Sequence, residues 1–408
     1  MIQRIPRVFR SLRNVNYRIW AAGAFVSNIG TWVQRTAQDW LVLTQLTHHD
    51  ASAVGLVMAL QFGPQMLLLP WTGGAADHFN QRRLLMVTQA AMGILALLLG
   101  VLTVTGIVQL WHVYVFAFLF GCAAAFDAPV RQTFVAELVG EEDLHNAVAL
   151  NSTSFNAARM VGPAVAGLVI AATGTGWAFL INGASFIGVL VSLATLRVAM
   201  LRPHARAHRT RGGFSEGFRY AWGRPDLRAI LTMLFLIGTF GLNFPIFIST
   251  MAVTVFHADA RGYGILSSIM ALGSLAGAFL GAARQAPRFE LLLTGGAVFG
   301  LGCALAAVAP GYWFFAATLI IIGVSALTVT NTTNSLVQLS TPPEMRGRVM
   351  ALRVGVVLGG TPIGAPIVGW VADTFGPRWA LGVGAVAGFA SALVVLRALA
   401  RRAASDPS

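Results

Sequence analysis

The sequence contains no lysine and few acidic residues. All 28 basic residues are arginines, against 15 aspartates and glutamates, and the formal net charge is +13. Only 11% of the residues are charged, whereas a soluble domain carries about 25%. This composition excludes an ordinary soluble protein. Because nearly all the arginines lie in short segments between apolar runs, their charge indicates membrane topology rather than nucleic-acid binding.

Cysteine is also scarce. Cys122 and Cys303 both lie inside apolar runs, which excludes a disulfide framework and offers no metal ligands. His204 and His208 are four residues apart, but they have no third ligand and lie in an arginine-rich loop, so a solvated loop is favoured. The sequence contains no phosphate-binding loop and no nucleophile motif. We therefore expect no metal, no cofactor, no catalytic residue and no enzymatic activity.

Long apolar runs dominate the rest of the chain. Hydrophobic residues make up 56% of it, and a membrane helix needs about 20 apolar residues, so 408 residues with short loops hold roughly twelve such helices. The first apolar run is too long for a signal-peptide core, and we expect it to remain in the mature protein. The predicted spans are 17–44, 52–75, 83–107, 111–131, 146–173, 177–198, 227–255, 262–285, 290–309, 312–339, 347–373 and 377–398.

Arginines are concentrated in alternate segments around these spans. Arg261 and Arg378 alone stand in the opposite segments. By the positive-inside rule, an even number of spans then places both termini in the cytoplasm. The arginines on the predicted cytoplasmic side are Arg4, Arg7, Arg10, Arg13, Arg82, Arg83, Arg131, Arg202, Arg206, Arg209, Arg211, Arg219, Arg224, Arg284, Arg288, Arg346, Arg348, Arg401 and Arg402.

The two halves of the chain repeat each other at an offset of 202 residues. Trp111 corresponds to Trp313 and Trp177 to Trp379, each at the start of a predicted span. The same offset relates Glu142 to Glu344, Gly162 to Gly364, Gly167 to Gly369 and Gly174 to Gly376. Matched spans share one orientation, so this is a parallel repeat. We expect a six-helix bundle over 1–198, a cytoplasmic central loop over 199–226, and a second six-helix bundle with a short cytoplasmic tail over 227–408.

Two segments carry a family resemblance. Between the second and third spans, Gly73, Asp77, Arg82 and Arg83 fit the signature loop of the major facilitator superfamily, although Asn80 stands where glycine is usual. The fifth span holds Gly162, Pro163 and Gly167, which resembles the motif of that superfamily's proton-coupled exporters, with Ala166 replacing one glycine of the usual pair. The alternatives are a solvated turn and a generic kinked, packed membrane helix.

Further segments narrow the resemblance to one branch. Residues 127–132, 151–159 and 341–349 are similar to those of drug and siderophore exporters that include the enterobactin exporter and macrolide or multidrug efflux proteins. The resemblance covers the whole chain and implies the two-bundle major facilitator fold in a bacterial cytoplasmic (inner) membrane. It implies that the signature loop holds the outward-facing state. It does not identify a substrate.

Charges inside membrane spans are candidates for function. Arg159 lies near the middle of the fifth span, where it could bind substrate, respond to protonation or be neutralised by a carboxylate such as Asp127. For Asp127, proton coupling, pairing with Arg131 or Arg159, and helix capping are open. Arg35 and Asp39 share a helix face, either as a proton-sensitive pair or as a local ion pair.

Neutral polar residues form a stripe in the tenth span. Asn331, Asn334 and Gln338 are spaced by three and four residues and fall on one face. Such groups line a transport cavity or hold helices together by hydrogen bonds, and the second role is the commoner. Asn331 and Asn334 are the candidates for lining a cavity.

These observations predict a secondary transporter that exports hydrophobic or amphipathic small molecules by alternating access, driven by protons. Its expected partners are a small-molecule substrate, protons and the lipid bilayer, with no nucleic acid, and we expect a monomer. A dedicated siderophore or metabolite exporter and a lysolipid flippase remain open within the same fold. A non-transporting membrane sensor is the alternative from another class, and a channel fits less well because no ring of charges is evident.

Overall fold

The computed structural model describes residues 7–68, 71–72, 79–202, 213–282 and 287–405. Over these residues the chain is helical and contains no strand. Residues named in the sequence analysis that lie outside the described residues are Arg4, Gly73, Asp77, His204, Arg206, His208, Arg209, Arg211 and Arg284. The chain forms two compact units: unit 1 comprises Met1–Leu41 and Gly63–His208, and unit 2 comprises Val42–Phe62 and Arg209–Ser408.

Fourteen α-helices have both ends within the described residues. They are α1 (Val15–Leu41), α2 (Ala51–Leu67), α3 (Gln81–Val104), α4 (Leu110–Leu138), α5 (Glu141–Thr173), α6 (Thr175–Ala194), α7 (Gly213–Gly223), α8 (Pro225–Leu236), α9 (Phe244–Thr250), α10 (Ala260–Ala282), α11 (Glu290–Ala307), α12 (Tyr312–Ser340), α13 (Pro343–Phe375) and α14 (Pro377–Ser405). A π-helical segment, Val42–Leu46, continues α1.

Ten helical segments among the described residues are long and apolar enough to cross a membrane. The helix α2 is apolar but has only 17 residues. The 27 residues of α1 suffice in length, but its buried face is unusually polar and includes Asn28, Gln34 and Asp39. Together these segments give about twelve membrane helices, and the predicted all-α membrane fold is confirmed.

The internal repeat is visible in the backbone. The paired helices α4 and α12 both have 29 residues, and α5 and α13 both have 33. Gly174 before α6 has φ +91°, and its counterpart Gly376 before α14 has φ +99°. Side chains other than glycine rarely adopt this left-handed conformation, so both positions require glycine for the same turn.

The span predicted at 227–255 is interrupted. The helix α8 ends at Leu236, a π-helical segment covers Ile237–Gly241, and α9 begins at Phe244. Glycines weaken a helix, and Pro245 cannot donate the backbone hydrogen bond that would continue one. Met251–Val255 is again π-helical. Interrupted helices in membranes expose backbone groups that can serve a binding site.

The core of unit 1 lies where α1, α3, α4 and α6 pack. Tyr17, Leu85, Phe134 and Leu193 are each almost completely buried in this cluster. The Tyr17 hydroxyl donates a 2.9 Å hydrogen bond to the Ala147 carbonyl and so attaches α5 to the start of α1. This packing fixes α1 and α5 side by side, which positions the charged side chains described below.

Unit 2 includes the end of the first helical segment and the start of α2. In α2, a Cβ atom at Gly55 would overlap the backbone of Ala365 in α13. Farther along α13, a Cβ atom at Gly369 would overlap the backbone of Ala51. The helices α2 and α13 therefore pack backbone against backbone, as membrane helices do at small residues.

The predicted central loop contains a helix. Within 199–226, α7 carries Phe218 and Trp222 on one side, stacked with their ring centroids 5.3 Å apart. Arg348 of α13 forms an ion pair with Glu216, with Nη1 and Oε2 3.0 Å apart. Four of the six arginines of this segment precede residue 213, and the aromatic spacing that follows is helical.

Candidate functional site

Two arginine side chains lie over the indole ring of Trp32 in α1. The guanidinium carbon of Arg35 lies 5.0 Å from the ring centroid, and that of Arg159, from α5, lies 5.5 Å away. These distances are those of cation–π contacts. Asp39 is the anionic neighbour of Arg35 and is only 7% exposed. The structure thus brings together three of the predicted charges, and we call Trp32, Arg35, Asp39 and Arg159 the Trp32 cluster.

The close approach of α5 to α1 depends on Gly162. A Cβ atom built at Gly162 would overlap the Cβ atom of Trp32. Phe155, two turns earlier on α5, meets the Trp32 ring edge-on with centroids 5.9 Å apart. Pro163 lies inside α5, which continues to Thr173, and Gly167 is buried. In this chain Gly162 of the exporter-like motif therefore allows the backbone of α5 to approach Trp32 closely.

One face of α5 is polar and open. Ser152, Asn156 and Arg159 are all exposed, and their spacing of four and three residues places them on one side of the helix. Arg159 lies near the middle of the 33-residue helix. A guanidinium there is not tolerated against lipid, so this face must border water or a polar ligand.

The Trp32 cluster has an excess of positive charge. Its two arginines are accompanied by one carboxylate, Asp39. Within the described residues, no carboxylate forms an ion pair with Arg159. The charged neighbours of Arg35 are Asp39, Arg159 and Arg131. The cluster therefore carries one positive charge more than it can neutralise itself.

Asp127 belongs to a separate, closed network. Its carboxylate accepts hydrogen bonds from Thr88 Oγ1 at 2.9 Å, from Gln89 Nε2 at 2.7 Å and from Arg131 Nε at 2.9 Å, and it also contacts Arg131 Nη2. Arg131 Nη1 donates to Asn28 Oδ1 at 2.8 Å. Of the two predicted partners, Arg131 pairs with Asp127. This network joins α1, α3 and α4.

Two carboxylates, Asp50 and Asp373, lie together in unit 2, which the sequence did not predict. Asp373, near the end of α13, accepts hydrogen bonds from the backbone N–H groups of Ala51 and Ser52, both at 2.7 Å, and from the Ser52 hydroxyl. Asp50 accepts one from Ala53 N at 2.9 Å. No spacing in the sequence relates residues this far apart. The pair borders an open cleft of about 540 Å³, lined also by His48, His49, Thr250 and Thr254.

In unit 2, the polar stripe is accompanied by a buried arginine. Asn331 is exposed and Asn334 is half-buried. Arg353 of α13 is 7% exposed, and its Nη2 donates to the Thr330 carbonyl at 2.8 Å and to Thr333 Oγ1 at 3.3 Å. Its Nε has no partner among the described residues. Arg353 lies inside the predicted span 347–373, so a complete count of charges within spans would have found it.

Residues 8–407 match the sequence model of the MFS_3 family, described as transmembrane secretion effectors. The chain belongs to this family. It is a multi-pass membrane transporter of the major facilitator type, a class that acts on small molecules.

Relatives of this MFS_3 chain include transporters of drugs and siderophores. It is 28% identical over 378 residues to the multidrug efflux pump Tap of Mycolicibacterium fortuitum, with 86% of this chain and 88% of Tap covered. It is 26% identical over 258 residues to the staphyloferrin A transporter of Staphylococcus aureus, covering 62% of this chain and 64% of that protein, just under two thirds. The enterobactin exporter EntS of Shigella flexneri is 23% identical over 332 residues, covering 80% and 78%.

Solved transporter structures share the fold. A bacterial homologue of the human lysosomal transporter Spinster, inward-facing and unoccupied, superposes with a TM-score of 0.73 at 15% identity, covering 95% of both chains. The D-xylose–proton symporter gives a TM-score of 0.71 at 12% identity, covering 94% of this chain and 97% of that one. At these identities the likeness establishes the fold alone.

In the signature loop of this MFS_3 chain, Arg82 and Arg83 lie within the described residues, whereas Gly73 and Asp77 do not. Arg82 donates from Nε to the Leu193 carbonyl at 2.7 Å and from Nη2 to the Ala194 carbonyl at 3.1 Å, so it caps the end of α6. Asn80, which stands where glycine is usual, accepts a 3.0 Å hydrogen bond from Arg83 N and caps the start of α3. Both residues therefore also fix the ends of helices.

Proposed function

We propose that this chain exports hydrophobic or amphipathic small molecules across the bacterial cytoplasmic membrane by alternating access, in exchange for protons. One proton moving down a membrane potential of 100 mV supplies about 2.3 kcal/mol, enough to hold a cargo ratio of roughly 50-fold. Both termini lie in the cytoplasm in this proposal, as the arginine distribution predicts, and a single chain is the transporting unit.

The observation that supports the proposal is the Trp32 cluster. It places a buried carboxylate, Asp39, beside a guanidinium in the membrane, next to an open polar face of α5. Proton exchange requires a carboxylate whose protonation differs between two states of the protein. Protonation of Asp39 would remove one negative charge from the cluster, so proton binding and the charge presented by the cluster are linked.

Asp39 is a better candidate for coupling than Asp127. Asp127 accepts hydrogen bonds from three side chains and is 2% exposed, so its charged form is fully satisfied. Protonation there would break a network that joins three helices. Asp39 has Arg35 as its charged neighbour, on the same helix, and can exchange its proton without separating helices.

The test is dye efflux from energised cells that overproduce the protein, with and without a proton uncoupler. Ethidium and a macrolide are the first two cargoes. We expect uncoupler-sensitive efflux that falls to background in Asp39→Asn and in Asp77→Asn. Glu141→Gln, which changes an exposed carboxylate in the first turn of α5, is the matched control and should keep full efflux.

Efflux that is insensitive to the uncoupler, or unchanged in Asp39→Asn, would contradict proton coupling through this residue. Membrane expression of each variant is verified first, so that loss of efflux is not loss of protein.

A dedicated siderophore or metabolite exporter is the second candidate. It is favoured by the relatives named as a staphyloferrin A transporter and an enterobactin exporter. If neither ethidium nor the macrolide is exported, metabolite profiling of a deletion strain should reveal a compound that accumulates inside the cells.

A further inference from the structure

The charges on the membrane helices do not balance among the described residues. In unit 1, Arg131 is neutralised by Asp127, and Arg35 has Asp39 as its anionic neighbour. Arg159 is left without a carboxylate among the described residues. An unpaired guanidinium in a membrane span is unfavourable and is retained where a ligand or a transport step needs it.

Unit 2, considered by itself, shows the same excess. Arg353 lies ten residues into α13 and is 93% buried, with one guanidinium nitrogen unpartnered among the described residues. Its described partners are both neutral threonine oxygens. The repeat places Thr333 where unit 1 has Arg131 and Val329 where unit 1 has Asp127. The C-terminal half therefore lacks the ion pair of Asp127 and Arg131, and its buried arginine, Arg353, stands where the N-terminal half has Asn151.

The groups around Arg159 indicate what would compensate its charge. A guanidinium binds carboxylate-like anions through two parallel hydrogen bonds, and this contact strengthens away from bulk water. Phe155 is 45% exposed one turn before Arg159 and packs against Trp32. Asn156 and Ser152 add neutral hydrogen-bonding groups on the same open face. An apolar aromatic surface thus lies directly beside a cation that has no carboxylate partner in the part of the chain that the structure describes.

We propose that the cargo is an amphipathic organic anion, whose acidic group pairs with Arg159 and whose flat apolar body lies against Phe155. This inference rests on the proposed transport function and narrows its substrate class. It predicts that a cationic dye is a poorer cargo than an acid of the same size. Asp39 should weaken binding of the anion, because its negative charge offsets part of the attraction exerted by Arg159.

The test compares two probes of one shape and different charge. The purified full-length protein in a neutral detergent is dialysed to equilibrium against 2-naphthoate or against its neutral amide, 2-naphthamide. We expect the wild-type protein to bind naphthoate about tenfold more tightly, which is the effect of one good charge-assisted contact. Arg159→Gln should reduce this preference to less than about twofold, and Arg159→Lys should retain part of it.

Two further variants sharpen the result. Asp39→Asn should increase the preference for naphthoate, since it removes a negative charge from the cluster. Arg378→Gln is the matched control, because Arg378 donates to the Ala307 and Ala309 carbonyls at 2.9 Å and lies at the start of α14. It should leave the preference unchanged, and melting temperatures verify that each variant is folded.

The proposal is overturned if naphthoate does not bind the wild-type protein, if the amide binds as tightly, or if Arg159→Gln keeps the preference. Its failure is distinguishable from that of the proposed function. Uncoupler-sensitive export of ethidium without any anion preference would overturn the cargo class alone. Arginine-dependent naphthoate binding without energised efflux would support the anion site and contradict the export function.

Discussion

Gly162 lies directly against the Cβ atom of Trp32, and no side chain fits at position 162 without displacing that atom. This contact joins α5 to α1 at the residue whose indole carries both Arg35 and Arg159. The geometry of the charged cluster therefore depends on a residue that has no side chain. Its counterpart in unit 2, Gly364, is similarly pressed against the backbone of Thr239.

Gly162→Ala should destabilise the protein by about 1–3 kcal/mol through overpacking, and should reduce export more than this loss alone explains. The melting temperature in detergent and efflux at matched expression are the two measurements. Gly188→Ala is the control in the same unit, because a Cβ atom there meets nothing within 4 Å. It should be neutral or slightly stabilising, as alanine is the better helix former. Equal melting temperatures for both variants would refute the contact.

Asp127→Ala should destabilise the protein by about 3–5 kcal/mol, because it leaves the Arg131 guanidinium without its counter-ion in a buried network. Thermal unfolding in detergent provides the measurement. The double variant Asp127→Leu with Arg131→Met should recover much of the loss, since both charges are then absent. If Asp127→Ala unfolds normally but abolishes uncoupler-sensitive efflux, Asp127 and not Asp39 is the coupling carboxylate.

The contact between α2 and α13 should weaken as the pH rises. Partial desolvation raises the pKa of the Asp50 carboxyl, and its hydrogen bond and like charge with Asp373 raise it further, against the lowering effect of the Ala53 and Ser52 N–H groups. A raised acid pKa means that the proton stabilises the contact. The stabilisation is complete below the ordinary pKa of aspartate and is lost as the pH passes through the raised value.

Spin labels on α2 and α13 would detect this change as a pH-dependent distance. Asp50→Asn should remove the dependence and hold the short distance at all pH values. His48 and His49 line the same cleft, so His48→Gln with His49→Gln tests whether they contribute. A transition that persists unchanged in Asp50→Asn would assign it to another group.

Arg82→Gln should destabilise the protein by about 1 kcal/mol, because the carbonyls of Leu193 and Ala194 lose their charged hydrogen-bond donor at the end of α6. Thermal unfolding is again the measurement. Arg83→Gln is the adjacent control, since Arg83 contributes a backbone hydrogen bond to the Asn80 cap that the substitution keeps. If both variants lose export without loss of stability, the two arginines act in gating rather than in capping.

Local pattern and repetition predicted most of the fold. Trp111 and Trp313 lie at the second residue of α4 and α12, and the glycines before α6 and α14 adopt the same left-handed turn. These features depend on neighbours in sequence, which a single chain displays. The interruption at Ile237–Gly241 was not predicted, because Gly238 and Pro245 are individually tolerated in membrane helices.

The candidate site was only partly accessible from sequence. Arg35 and Asp39 share a helix face by their spacing, and that contact could be foreseen. That Trp32 also lies under Arg159 depends on how α1 and α5 pack, for which the sequence offers only the small size of Gly162. The pairing of Asp50 with Asp373 depends on tertiary structure alone.

The cap on α2 has a consequence for biosynthesis. The N–H of Ser52 finds its acceptor in Asp373, which is synthesised 321 residues later. At 5–20 residues per second, the ribosome needs on the order of tens of seconds to make that acceptor. During this interval the first turn of α2 has no such partner, and Val42–Phe62 awaits the unit to which it belongs. The contacts that tie the start of α2 to α13 can therefore form only late in synthesis, after α13 has been made.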